Sequence, residues 1–161
     1  MESIYFKNTR ELRANFKELE EKLKVKIIMT GKRADIEGSG FDEYEAKNIL
    51  EAINFGFSAK KALLLKDENF SFSILHIKNI SRRKNLKEVR GRVIGREGKT
   101  KRTIENISDC HLVIKNNEVG IIGDAESLEE AKTALQSLIR GSKESNVYKF
   151  LEKMNAKRKK L

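Results

Sequence analysis

Val93-Ile94-Gly95-Arg96-Glu97-Gly98-Lys99-Thr100-Lys101-Arg102 places a Gly-x-x-Gly turn directly ahead of a basic stretch with helical periodicity. Glycine lets main-chain N–H groups approach a ligand with no Cβ in the way, and the positive end of the following helix favours an anion there. The pattern predicts a loop that touches a phosphate backbone. Because glycine makes up about 7% of an average sequence, a bare Gly-x-x-Gly arises by chance about once in a chain of this size. Gly120-Ile121-Ile122-Gly123 is such an occurrence, set in an apolar, strand-like run, and reads as packing. Context separates the two. Apolar Val93 and Ile94 precede Gly95, and Lys99, Lys101 and Arg102 follow Gly98.

Charge supports a polyanionic partner. The 161 residues carry a formal net charge of +10, contain no proline, and suit one domain or two small ones. Residues 1–65 hold 12 Lys/Arg against 11 Asp/Glu, and residues 106–148 hold 4 against 7. The excess lies in residues 81–105, with 10 against 3, and in residues 149–161, with 6 against 1. Two basic segments on a neutral to acidic body form the footprint expected for nucleic acid. The N-terminus lacks a signal-peptide layout and no apolar run approaches the ~20 residues of a membrane span, which predicts a cytoplasmic protein with no membrane partner. Cys110 is the only cysteine, and His76 and His111 are the only histidines. That set is too small for a Cys/His zinc cluster, so no metal or cofactor is expected.

Sliding the chain on itself by 85 residues from position 10 to position 56 pairs Glu20 with Glu105, Ile36 with Ile121 and Gly38 with Gly123. It also pairs Glu45-Ala46-Lys47 with Glu130-Ala131-Lys132, Leu50 with Leu135 and Gly56 with Gly141. Such self-similarity marks a duplicated module. In the first copy, Leu12, Phe16, Leu19 and Leu23 recur at helical spacing. Val25, Ile27 and Met29 then alternate as in a half-buried strand, Ala34–Ile36 suggests another, and Ala46, Ile49, Leu50, Ile53 and Phe57 restore a helical stripe. The second copy follows suit, with strands around Leu112–Ile114 and Val119–Ile122 and a helix opened by a capping box at Ser127-Leu128-Glu129-Glu130. Further strands are expected at Ser3–Lys7 and Phe70–Ile80. The resulting order is β, α, α, β, β, α, an α+β module with a three-stranded sheet packed on helices. A final helix is expected from Val147, Phe150, Leu151 and Met154, docked on the body or on a partner with its basic end beside the RNA-binding face.

A module of this order with Gly-x-x-Gly between its first two helices resembles the KH domain in its type I, eukaryotic arrangement. Gly91 to Asn106, Ile121-Ile122-Gly123-Asp124 and Val147–Glu152 closely resemble the partner-of-Nob-one family, tandem-KH proteins of archaea and eukaryotes. The segment Gly56–Leu63 is similar to the linker of archaeal members, so the resemblance covers nearly the whole chain. It implies two tandem type I KH domains. Residues 1–60 form a degenerate first module, residues 61–143 the module with the turn, and residues 144–161 a C-terminal basic helix. At the 85-residue offset, Arg10 and Arg13 stand where Gly95 and Gly98 would, so the first copy lacks the turn.

The resemblance implies an RNA-binding protein of small ribosomal subunit assembly that holds single-stranded rRNA near its 3′ end and assists the maturation nuclease. The Nob endonuclease and translation initiation factor two alpha are the protein partners it implies. In the KH mode the Gly95–Gly98 turn presses against the backbone of about four nucleotides. Arg96 and Glu97 point outward there. Arg90, Arg92, Lys99, Lys101 and Arg102 supply charge, Thr100 completes the loop, and Ile94, with Ile104, either floors the groove or belongs to the core. No catalytic residue is expected. Gly98-Lys99-Thr100 does imitate the end of a P-loop, but the glycine that motif needs five residues before Gly98 is Val93, and residues 81–92 are basic, not an apolar strand. A protein-binding scaffold is the other alternative, since the first module lacks its loop.

Overall fold

Ile4, Ile27, Ala34 and Ile36 put their side chains on one face of a small sheet, and each is buried. In the computed structural model, which describes residues 1–160, that sheet belongs to the first of two units, residues 1–70 and residues from 71 onward. The first unit runs β1 (Glu2–Tyr5), α1 (Arg10–Ala14), α2 (Phe16–Leu23), β2 (Lys26–Thr30), β3 (Arg33–Glu37) and α3 (Gly40–Phe55). Its sheet order is β1-β3-β2, with β3 antiparallel to both neighbours and Ile36 opposite Glu2 and Ile27. Leu12, Leu19, Leu23, Ile49 and Leu50 cover the buried face without measurable exposure. A short helix, α4 (Ala59–Ala62), and a 3-10 turn (Leu63–Lys66) follow, burying Ala59, Ala62 and Leu65.

The second unit runs β4 (Phe70–His76), α5 (Ile77–Ile80), α6 (Leu86–Ile94), α7 (Lys99–Ser108), β5 (His111–Lys115), β6 (Glu118–Asp124), α8 (Ala125–Arg140) and α9 (Glu144–Lys159). Its sheet order is β4-β6-β5, with Leu112 opposite Ile121. One core joins Leu75, Val89, Val93, Ile104, Leu112, Ile121, Leu135 and Leu138. No helix among the described residues is long and apolar enough to cross a membrane.

The 85-residue offset carries over into atomic detail. Glu20 Oε2 accepts Ile27 N–H at 2.9 Å, and Glu105 Oε2 accepts Leu112 N–H at 3.0 Å. Lys24 and Asp109 both end a helix at positive φ, 56° and 59°. A Cβ on Gly38 would meet Val25 Cγ1 at 2.9 Å, and one on Gly123 would meet Cys110 Sγ at 2.5 Å, so these glycines serve close packing. Ser39 caps α3 through Asp42 N–H, whereas Asp124 caps α8 through Ser127 N–H, the same serine–aspartate pair with its members exchanged.

Four local features depart from expectation. The first helical stripe is broken at Asn15 (φ −118°), whose amide donates to Glu11 O at 2.9 Å and so competes with the helix. The strand expected over 70–80 ends at His76, because Ile77 and Ile80 are spaced for a helical turn and not for alternation. The helix expected to open at Ser127 opens at Ala125, since Asp124 accepts two hydrogen bonds from Ser127, one from the amide at 3.0 Å and one from the hydroxyl at 2.8 Å. The basic end of α9 lies at the opposite end of α7 from the glycine turn. Arg158 there reaches Asp109 at 3.8 Å, just past the last residue of a helix about 15 Å long.

Candidate nucleic-acid interface

The turn between α6 and α7 is possible only with glycine. Gly95 has φ 76° and ψ 174°, a region essentially closed to residues bearing a Cβ. A Cβ there would also stand 2.1 Å from Thr100 Oγ1. Glu97 (φ 55°) and Gly98 (φ 76°) continue in the left-handed region, and Gly98 N–H closes the turn on Gly95 O at 3.2 Å. Thr100 is 3% exposed, fills the space above Gly95, and donates to Glu144 Oε1 at 3.4 Å. The main chain from 95 to 98 therefore stands out at the start of α7 on a rigid support. A helix start beside such a turn gathers N–H dipoles suited to an anion.

The structure divides the cations around this turn into two groups. The side chains of Arg96 and Lys99 are exposed and make no hydrogen bond or ion pair among the described residues. The others are tied into the fold. Arg102 Nη1 donates to Glu97 O at 2.7 Å and braces the turn from within. Arg92 donates to Leu138 O at 3.1 Å in the last turn of α8 and to Ser142 O at 2.9 Å just beyond the helix. Arg90 reaches Asn116 O at 3.2 Å on the β5–β6 hairpin, and Lys101 pairs with Glu105 at 3.3 Å. Their positive charge still contributes to the field at the turn, but their geometry is set by protein partners.

Among the apolar residues, Ile104 belongs to the core, while Ile94 at the end of α6 and Val113 on β5 are half-buried. The segment ahead of the turn is helix α6, not the strand that a P-loop requires. Two contributors carry no signal in local sequence. Glu144 touches Thr100 from α9, 44 residues away, and Arg158 holds the far end of α9 through Glu130 at 2.7 Å and Ser127 Oγ at 2.8 Å. Only contact between α9 and the helices α7 and α8 creates these pairs, with Val147 and Leu151 buried beneath them.

Comparison with known proteins follows the same division. Residues 71–156 match the second KH domain of the PNO1 type, described as a eukaryotic-type, type I KH domain. A KH domain-containing protein of Methanocaldococcus jannaschii is 34% identical over 71% of this chain and 51% of its own length, so the chain spans about half of that relative. A pre-rRNA-processing protein, pno1, of Aspergillus fumigatus is 31% identical over 86% of this chain and 58% of its own. In a crystal structure of an a/eIF2alpha–aDim2p–rRNA complex from Pyrococcus horikoshii, the similar chain superposes with a TM-score of 0.84 at 29% identity, covering 97% of this chain and 94% of that one. The family match lies over the unit that carries the Gly95–Gly98 turn, and the chain belongs to the PNO1 family of KH proteins.

Proposed function

We propose that this chain is a tandem type I KH protein that binds single-stranded RNA, without chemistry, in small ribosomal subunit assembly. Residues 1–60 are its degenerate module, residues 61–143 the module that grips RNA, and the residues from 144 a basic helix. The observation that carries the reading is the Gly95–Gly98 turn, whose backbone is glycine-dependent, exposed and braced by Thr100 and Arg102. The turn takes the sugar-phosphate backbone, Arg96 pairs with phosphate, and Lys99 adds charge at the helix start. Gly98, Lys101, Arg90 and Arg92 shape the site and its potential, and Ile94 lines its edge. The a/eIF2alpha–aDim2p–rRNA complex of the Pyrococcus relative supports an rRNA target and a contact with initiation factor two alpha; that this target lies near the 3′ end of the small-subunit rRNA is what the family resemblance implies. The Nob nuclease completes the partner set.

The test is single-stranded RNA binding by Arg96→Asp/Glu97→Asp. Aspartate tolerates the left-handed backbone at 97, so the turn survives while like charge faces phosphate. Affinity should fall by about 2 kcal/mol or more, since an unpaired charged contact costs about 1–3 kcal/mol. Unchanged affinity in the folded variant would favour a protein scaffold instead. ATP or GTP with magnesium should show no turnover that depends on Lys99.

A further inference from the structure

Arg82, Arg83 and Lys84 form an unbroken cationic run ahead of α6, all exposed and without an ion pair among the described residues. The run is held in one shape. Ser81 Oγ accepts Arg83 N–H at 3.1 Å, and Asn85 caps the helix that follows. The Arg83 guanidinium lies over the end of α8, 3.6 Å from where a Cβ on Gly141 would stand. Arg140 and Lys143 flank that glycine, again exposed and without side-chain partners among the described residues.

Cations at a helix C-terminus are commonly explained by the helix dipole. That need is already met here, because the N–H groups of Gly141 and Ser142 donate to the carbonyls of Leu138 and Ser137 and the Arg92 guanidinium sits on Leu138 O. The approach of Arg83 to Gly141 brings the two segments together, so their five further positive charges repel one another, and Glu88 and Glu144 are the acidic residues nearest them in sequence. An extended polyanion would relieve that repulsion. Helix α6 is nine residues long, which sets the run about 13 Å from the Gly95 turn. A groove holding about four nucleotides leaves flanking backbone to be placed.

We infer that Arg82, Arg83, Lys84, Arg140 and Lys143 form a second phosphate-contact surface, independent of sequence, for RNA backbone flanking the nucleotides gripped at the Gly95–Gly98 turn. The inference rests on the RNA-binding reading above. It assigns the surface a different task from the turn: the turn positions a short segment, and the cationic surface lengthens the footprint and steepens its salt dependence.

The test compares Arg82→Ala/Arg83→Ala/Lys84→Ala with the unaltered protein on two single-stranded RNAs, one of about five nucleotides and one of about fifteen, matched to the turn's groove and to a longer path. Each cation on a single-stranded phosphate contributes ~0.7 to the slope of log affinity against log salt. On the long RNA the slope should drop by about two and affinity at moderate salt should fall roughly tenfold or more, while the short RNA binds as before. Lys17→Ala/Lys32→Ala/Lys60→Ala removes the same charge from exposed sites of the first unit and should leave both slopes nearly unchanged. Equal losses on both RNAs, equal losses in the control, or an unchanged long-RNA slope would each overturn the inference while leaving the turn's role standing. Absence of RNA binding by the unaltered protein would overturn both.

Discussion

Arg10-Glu11-Leu12-Arg13 and Gly95-Arg96-Glu97-Gly98 occupy the same place in the two copies of the repeat, and they face opposite ways. In the first unit the stretch is helix α1. Leu12 is buried completely, Glu11 accepts Ala59 N–H at 2.8 Å, and Arg13 donates to Gly31 O at 2.9 Å. In the second unit two glycines turn the main chain outward and leave Arg96 and Glu97 in solvent. The nine-residue helix that precedes the turn in the second unit also has no counterpart, because only Phe6–Thr9 separate β1 from α1. A site shared by both copies thus serves as core in one and as open surface in the other. What decides it is whether the backbone can enter positive φ.

The comparison breaks most sharply at Gly95. Gly95→Ala forces a Cβ into a glycine-only region and against Thr100, so it should cost about 3 kcal/mol or more of stability, a sum of strain and overpacking. The matching Arg10→Ala, on an exposed helical residue, should stay within ~0.5 kcal/mol. Thermal melts of both variants decide, and equal shifts would remove the contrast. Leu12 offers the converse. Leu12→Ala should destabilise the first unit by roughly 2–4 kcal/mol through the cavity it leaves, with RNA affinity of the folded protein unchanged. Glu97→Ala should stay within ~0.5 kcal/mol, since glutamate and alanine bring the same Cβ into the left-handed backbone and the side chain is exposed. Loss of RNA binding in Leu12→Ala while it remains folded would show that the first unit grips RNA after all.

Smaller effects sharpen the account of α9. Arg158 is 13% exposed between Glu130 and Ser127, so Arg158→Ala should cost about 2 kcal/mol of stability by leaving Glu130 without its partner. RNA affinity should barely move, since that end of α9 lies away from the turn. A fall in affinity without a fall in melting temperature would place the tail in the RNA footprint. The smallest expected signal is at Cys110. Burial pushes its thiol up to about 11, so alkylation near neutral pH should be negligible in the folded protein. Rapid labelling would reveal opening of the core around Gly123.

Much of the fold was legible in the chain because its signals are local. Alternation over Val25–Met29 and helical spacing over Ala46–Ile53 report which face is buried, and each period belongs to one element type. The repeat exposed the missing turn by alignment alone. The basic cluster was harder to read, because sequence counts charges without saying what each one touches. Arg90 and Arg92 reach carbonyls 26 and 46 residues away, which only tertiary packing brings within range, and Arg102 reaches the Glu97 carbonyl five residues back, which the glycine turn presents to it. Arg158 read as one cation of a tail for the same reason.

By itself, then, the sequence determined the duplicated α+β module, the place of the glycine turn and its absence from the first copy, since periodicity and positive φ are properties of short segments. Tertiary structure alone decided which cations stay exposed, which brace the fold, and at which end of α7 the basic helix terminates. Long side chains are committed by whichever acceptors the fold delivers to them, and for Arg90, Arg92 and Arg158 those acceptors lie 26 or more residues away in sequence.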